Sequence, residues 1–134
     1  MKSFFRINLW GILWGVFILI LISIPGDFLP EIPPFISLFE PDKLVHLFLF
    51  TIYVFLLIRG FNTQDIFIYI KRNAVFIAIL NGIILGGGTE ILQYYFIPGR
   101  ICSVYDFIAN VLGCFLGWGI FTIWEKRKKK NKIL

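Results

Sequence analysis

Four long apolar runs, residues 7–24, 43–61, 74–97 and 104–124, alternate with short charged or proline-containing connections. Each approaches the ~20 residues that cross a bilayer core as a helix, the first two being the shorter pair. The pattern predicts an all-α integral membrane protein of four transmembrane helices joined by short loops. Polar residues enter the last two runs at helical spacing. Gly82, Gly86, Glu90 and Gln93 follow one another at intervals of four, four and three residues, and so share a face. Ser103, Asp106, Asn110, Gly113 and Gly117 do the same on the next run. Each helix thereby carries one stripe, half small and half polar. Small residues let membrane helices approach closely, so the two stripes are expected to face each other and hold a polar pocket at the mouth of the hairpin.

Composition agrees with a membrane domain, since 58% of the residues are hydrophobic and only 16% charged. The first run follows Lys2 and Arg6 as a secretory signal would, but its apolar stretch exceeds the usual ~7 to 15 residues. Ile24-Pro25-Gly26-Asp27 is also not a small-x-small cleavage site. A retained helix is expected, with Gly11 and Gly15 available for packing. Placing both termini in the cytoplasm puts Lys2, Arg6, Arg59, Lys71, Arg72 and the basic tail from Lys126 to Lys132 inside. Only Lys43 and Arg100 then lie outside, so the positive-inside rule predicts N-in and C-in. Trp10 and Trp124 fall at the inner interface, and Tyr94, Tyr95 and Tyr105 at the outer one, as in an aromatic belt. The chain divides into a membrane domain, 1–124, and a basic cytoplasmic tail, 125–134. The tail reads as an anchor on anionic lipid rather than a nucleic-acid contact.

The connection from Pro25 to Lys43 is proline-rich, carries Asp27, Glu31, Glu40 and Asp42, and is expected to form a fixed cap at the outer face. The connection from Gln64 to Asn73 holds Phe67, Ile68, Tyr69 and Ile70 between charges and is expected to rest on the inner surface. The second helix opens with Asp42, which suits a helix N-terminus, followed by Lys43 and His46 on a face continued by Leu49, Phe50 and Tyr53. With this topology Asp42, Lys43, His46, Glu90, Gln93, Arg100, Asp106 and Asn110 meet in one outward-facing polar cluster at the outer leaflet. Three of them are acids and two, Lys43 and Arg100, are bases. The excess negative charge is met by protonation of Glu90 or Asp106, by a charged His46, or by a bound cation.

The segments DKLVH, GGGTEILQ and GRICSVYDFIANVLGCFLG, with PG and LP early in the first outer connection, resemble the VanZ-like family of small bacterial membrane proteins. The resemblance runs from about Pro25 to Gly117 and includes all eight cluster residues. It implies a setting in the bacterial cytoplasmic membrane. It also implies a link to resistance against teicoplanin, a lipidated glycopeptide antibiotic, without alteration of the cell-wall precursor.

Three uses of the cluster follow from its chemistry. It is a closed hydrogen-bonding network that locks the helices. Or it binds a lipidic envelope ligand, a lipid-linked cell-wall intermediate or a glycopeptide antibiotic, with Arg100 and Lys43 holding a phosphate or carboxylate. Or it is catalytic, with His46 and Glu90 or Asp106 as acid and base and Ser103 or Thr89 as nucleophile. Binding of a lipidic ligand is the expectation. One histidine among scattered carboxylates makes a weak metal set, so no metal and no cofactor are assigned. HExxH, Walker and GxSxG motifs are absent. Ion transport is disfavoured because the ionisable groups are confined to one leaflet. Cys102 in the outer turn and Cys114 within the fourth helix are too far apart for an internal disulfide, and neither follows a lipobox-like site.

Overall fold

In the computed structural model, residues 3–25, 41–98 and 103–131 are described. They form helices α1 (Phe4–Ile22), α2 (Pro41–Thr63), the short α3 (Ile68–Arg72), α4 (Ala74–Phe96) and α5 (Val104–Asn131). All except α3 are long and apolar enough to cross a membrane, as the four runs predict. The protein is a multi-pass helical membrane protein. The helix α2 is longer than its apolar run implies, because Pro41 and Asp42 begin it ahead of the run. Proline has no N–H to lose in a first turn, and a carboxylate there meets unpaired backbone amides. The helix α5 continues past Trp124 to Asn131, with Glu125 and Lys129 paired at i, i+4. The basic tail is therefore largely an extension of the last span.

The helix α2 is the centre of the bundle. It touches α1, α4 and α5, and its interface with α5 is the most extensive among the described helices. Half of its most apolar window is buried, against 28% in α1 and α4 and 33% in α5. Phe50, Val54 and Ile58 are fully enclosed, with Leu49, Tyr53, Leu57 and Phe61 beside them. The other spans turn large apolar side chains outward, including Trp10, Ile20, Phe76, Ile84, Phe115 and Ile123. Lipid solvates such a surface, while polar side chains collect inside.

The two stripes face each other in part, since Gly86 and Glu90 of α4 meet Asn110 of α5, but the glycines of α5 do not join them. Gly113 and Gly117 of α5 lie against the backbone of α2. A β-carbon on Gly113 would stand 2.5 Å from the Leu47 carbonyl oxygen, and one on Gly117 would meet that of Thr51 still more closely. Gly82 and Gly86 of α4 instead receive side chains of α5, Cys114 Sγ at 2.6 Å and Asn110 Cβ at 3.0 Å from such a β-carbon. The α4 glycines thus meet α5 as expected, while those of α5 pack on α2. Gly11 and Gly15 of α1 seat Leu57 and the Tyr53 ring.

Polar contacts tie the elements together where no water is available. Trp14 Nε1 donates to the Leu49 carbonyl at 2.9 Å, joining α1 to α2. The Tyr53 hydroxyl donates to Asn81 Oδ1 at 2.7 Å, joining α2 to α4. Between α2 and α3 the buried Gln64 organises the turn. Its Oε1 accepts from the amides of Ile66 and Phe67 at 2.9 and 2.8 Å, and its Nε2 donates to the Phe67 carbonyl at 2.9 Å. Asp65 and Lys71 pair across the same turn. Ile68 and Tyr69 of α3 are exposed, as a segment lying along a membrane surface requires.

Candidate functional site

Because successive spans run in opposite directions, the start of α2, the end of α4 and the start of α5 lie at one end of the bundle. His46 comes from the second turn of α2, Glu90 and Gln93 from the last two turns of α4, and Asp106 and Asn110 from the first two turns of α5. All five are buried, Asn110 completely. Asp42 is exposed at the rim. Lys43 is half-buried, with its ammonium 5.1 Å from the centre of the Tyr105 ring. Arg100 and Cys102 lie outside the described residues, as does most of the proline-rich connection.

Asn110 is the hub. Its Oδ1 lies 3.0 Å from His46 Nδ1, and its Nδ2 donates to Glu90 Oε1 at 3.4 Å. An amide that donates to a carboxylate through nitrogen must present oxygen to the imidazole, so His46 Nδ1 carries the proton in this pair. In the neutral ring the lone pair is then on Nε2. His46 Nδ1 is also 3.8 Å from Glu90 Oε1. The other carboxylate oxygen, Glu90 Oε2, accepts from the Ser103 amide at 3.3 Å, one of the donors that a helix start leaves without an internal partner.

Ser103 caps α5, its Oγ accepting from the Asp106 amide at 3.3 Å. The Thr89 hydroxyl donates to the Gly86 carbonyl at 2.7 Å within its own helix. Both hydroxyls considered as nucleophiles are thus engaged with backbone. Each of Asp42, His46 and Asp106 presents one ligating atom within 4.8 Å of the other two. Gln93 is also well buried, yet its Nε2 has no hydrogen-bond partner among the described residues.

A roomy cavity among the described residues does not coincide with this chemistry. It has a volume of about 780 Å³ and lies at the opposite end, bordered by Arg6, Trp10, Arg59, Trp124 and Lys128. The polar cluster is by contrast packed closely at its base, where Gly86 sits against Asn110 and Phe50. Helical spacing identified the cluster residues, but not the ring of Tyr105 beneath Lys43. The link from Tyr53 to Asn81 was also missed, although a polar residue directly before Gly82 in an apolar run marks Asn81.

The fold and site define a small helical membrane protein with ionisable side chains gathered between its spans at one end. The sequence model of the VanZ/LLP1 family matches residues 18–125, which covers the end of α1 and nearly all that follows. The chain belongs to that family. It is also 33% identical over 112 residues to an uncharacterized protein of the yeast Schizosaccharomyces pombe, an alignment covering 83% of this chain and 62% of the yeast protein. The chain thus spans less than two thirds of that relative's length. No solved structure matches.

Proposed function

We propose that the polar cluster is a binding site for the charged head of a membrane lipid or lipid-linked envelope molecule, with lipoglycopeptides of the teicoplanin type as further ligands. The observation that carries this is Gln93. A buried amide nitrogen without a partner costs about 1–3 kcal/mol, and in a layer whose other members are paired it is the group that a bound acceptor satisfies. By the positive-inside rule this end faces outward, and Asp42, Lys43 and Asp106 stand at its rim beside the tyrosines of the outer interface. Lys43 supplies positive charge for a phosphate or carboxylate, and the apolar flanks of α2, α4 and α5 suit an acyl chain. The setting suggested by family resemblance is the cytoplasmic membrane of a bacterium.

The same side chains support a second use. With Nδ1–H held by Asn110, His46 Nε2 is a base directed away from the network, and Asp106 is its nearby acid, as in acid–base chemistry on a lipid-linked substrate.

One experiment separates these uses. Native mass spectrometry of the purified chain with phosphatidylglycerol is paired with teicoplanin susceptibility of a sensitive Gram-positive host, comparing wild type, Gln93→Leu and His46→Gln at matched membrane levels. Binding predicts that Gln93→Leu melts at an equal or higher temperature, since the orphan donor is gone, yet retains less lipid and protects less. Catalysis predicts that His46→Gln keeps lipid retention and loses protection. Unchanged retention and protection in both variants would exclude both uses and leave the cluster as helix packing.

A further inference from the structure

We infer that the cavity at the end of the bundle away from the polar cluster is a binding site for the head group of an anionic phospholipid. The inference goes beyond the function proposed above and shares no residue with it. The cavity follows from how two spans lean on α2. Helix α1 packs there with Gly11 seating Leu57, and α5 with Gly117 against Thr51. Between them the α2 residues Leu56, Arg59 and Thr63 form a floor, recurring at intervals of three and four and so sharing one face. The walls are Arg6 and Trp10 of α1 and Trp124 and Lys128 of α5, each pair one turn apart. The enclosed volume is about 780 Å³.

Charge selects the occupant. Three cations border the cavity, one from each helix, and among the described residues none of Arg6, Arg59 and Lys128 forms an ion pair with a carboxylate. The acids nearby are engaged by other lysines. Asp65, which also borders the cavity, pairs with Lys71, and Glu125 pairs with Lys129. Arg59 and Lys128 are moreover drawn to one ring. The Arg59 guanidinium stands 6.0 Å from the centre of Trp124, and the Lys128 ammonium 5.1 Å from it. An indole attracts each cation, but two like charges gathered from different helices repel each other. A bound anion removes that cost, and guanidinium with ammonium is a donor set that suits phosphate oxygens.

Position selects a lipid over a free anion. Along α2 the floor changes from Leu56 to Arg59 and then to Thr63, apolar toward the middle of the bundle and polar toward its end. A phospholipid has the same order of parts, from acyl chain through glycerol to phosphate. Indoles favour the boundary between hydrocarbon and head groups, and Trp10 in the wall is 68% exposed. By the positive-inside rule this end lies at the cytoplasmic face, where basic pockets between spans take anionic head groups. The lysines of the tail add a diffuse attraction to that surface, whereas the cavity gives one lipid a fixed place.

The test uses the full chain in phosphatidylcholine vesicles containing a small fraction of brominated lipid, either phosphatidylglycerol or phosphatidylcholine brominated at the same acyl position. Quenching of tryptophan fluorescence is followed, because Trp10 and Trp124 stand in the cavity walls. Each cation beside an anionic head group is worth about 5-fold in affinity. Brominated phosphatidylglycerol should therefore quench at a mole fraction at least about 5-fold lower than the zwitterionic lipid. The double variant Arg6→Gln/Arg59→Gln, at exposed positions, should lose most of this preference with helix content unchanged by circular dichroism, and Lys128→Gln alone should lose part of it. Lys126→Gln/Lys130→Gln removes equal charge from outside the cavity and should keep the preference. Gln93→Leu at the other end should keep it too, so that failure of this site and failure of the polar cluster are read separately. Equal quenching by the two lipids in the wild type, or equal losses in the cavity and tail double variants, overturns the site. Relief of the quenching by millimolar glycerol phosphate assigns the cavity to a soluble phosphate compound and overturns the lipid.

Discussion

Asn110 performs at one position what two side chains would otherwise do, accepting from His46 and donating to Glu90. Replacing it by leucine keeps the branched outline and removes both contacts. The imidazole N–H and a carboxylate oxygen are then buried without partners, each at about 1–3 kcal/mol. Asn110→Leu is therefore expected to lower the melting temperature of the purified protein, measured by tryptophan fluorescence in detergent, far more than Gln93→Leu. The membership of this layer was legible in the chain, because His46, Glu90, Gln93, Asp106 and Asn110 are polar residues at three- and four-residue spacing within apolar runs. The pairing inside it was not. Periodicity places a residue on a face, but which partner that face meets depends on how each helix is rotated against the others. Gln64 was invisible for another reason, since a turn bound by one side chain to neighbouring amides has no repeat to betray it.

At the scale of the helix, the glycines of α5 divide into those that set its distance from α2 and those that do not. A methyl group at Gly117 would meet the Thr51 carbonyl, and backbone cannot step aside as a side chain does. Gly119, two residues further on, has nothing among the described residues within 4 Å of such a methyl. Gly117→Ala should destabilise the bundle by about 1–3 kcal/mol as the two helices are forced apart. Gly119→Ala should be neutral or stabilise by up to about 1 kcal/mol through helix propensity. Unfolding in denaturant or by heat, followed by circular dichroism, distinguishes the two. The spacing of Gly82, Gly86, Gly113 and Gly117 correctly announced close packing. It misassigned the partner of Gly113 and Gly117 alone, because a hairpin of neighbours in sequence is only one way to satisfy small faces, and α2 packs on α5 as well.

For the molecule as a whole, the count of spans was readable from apolar run length, while the connection between α2 and α4 and the helical extension into the tail were less so. Lysine and arginine placement predicts that both termini face the cytoplasm. Green fluorescent protein fused at either end should fluoresce, and alkaline phosphatase fused after Pro25 should be active only if that connection is exported. The opposite pattern would reverse the orientation and place the polar layer on the cytoplasmic side.

The broadest interface among the described helices joins α2 to α5, with α4 between them in the chain. A ribosome delivers α2 to the membrane well before α5 exists. Until the C-terminal span arrives, His46 has no Asn110 and the α2 backbone has no Gly113 or Gly117 to cover it. The nascent protein must therefore carry a half-built polar end through most of its synthesis.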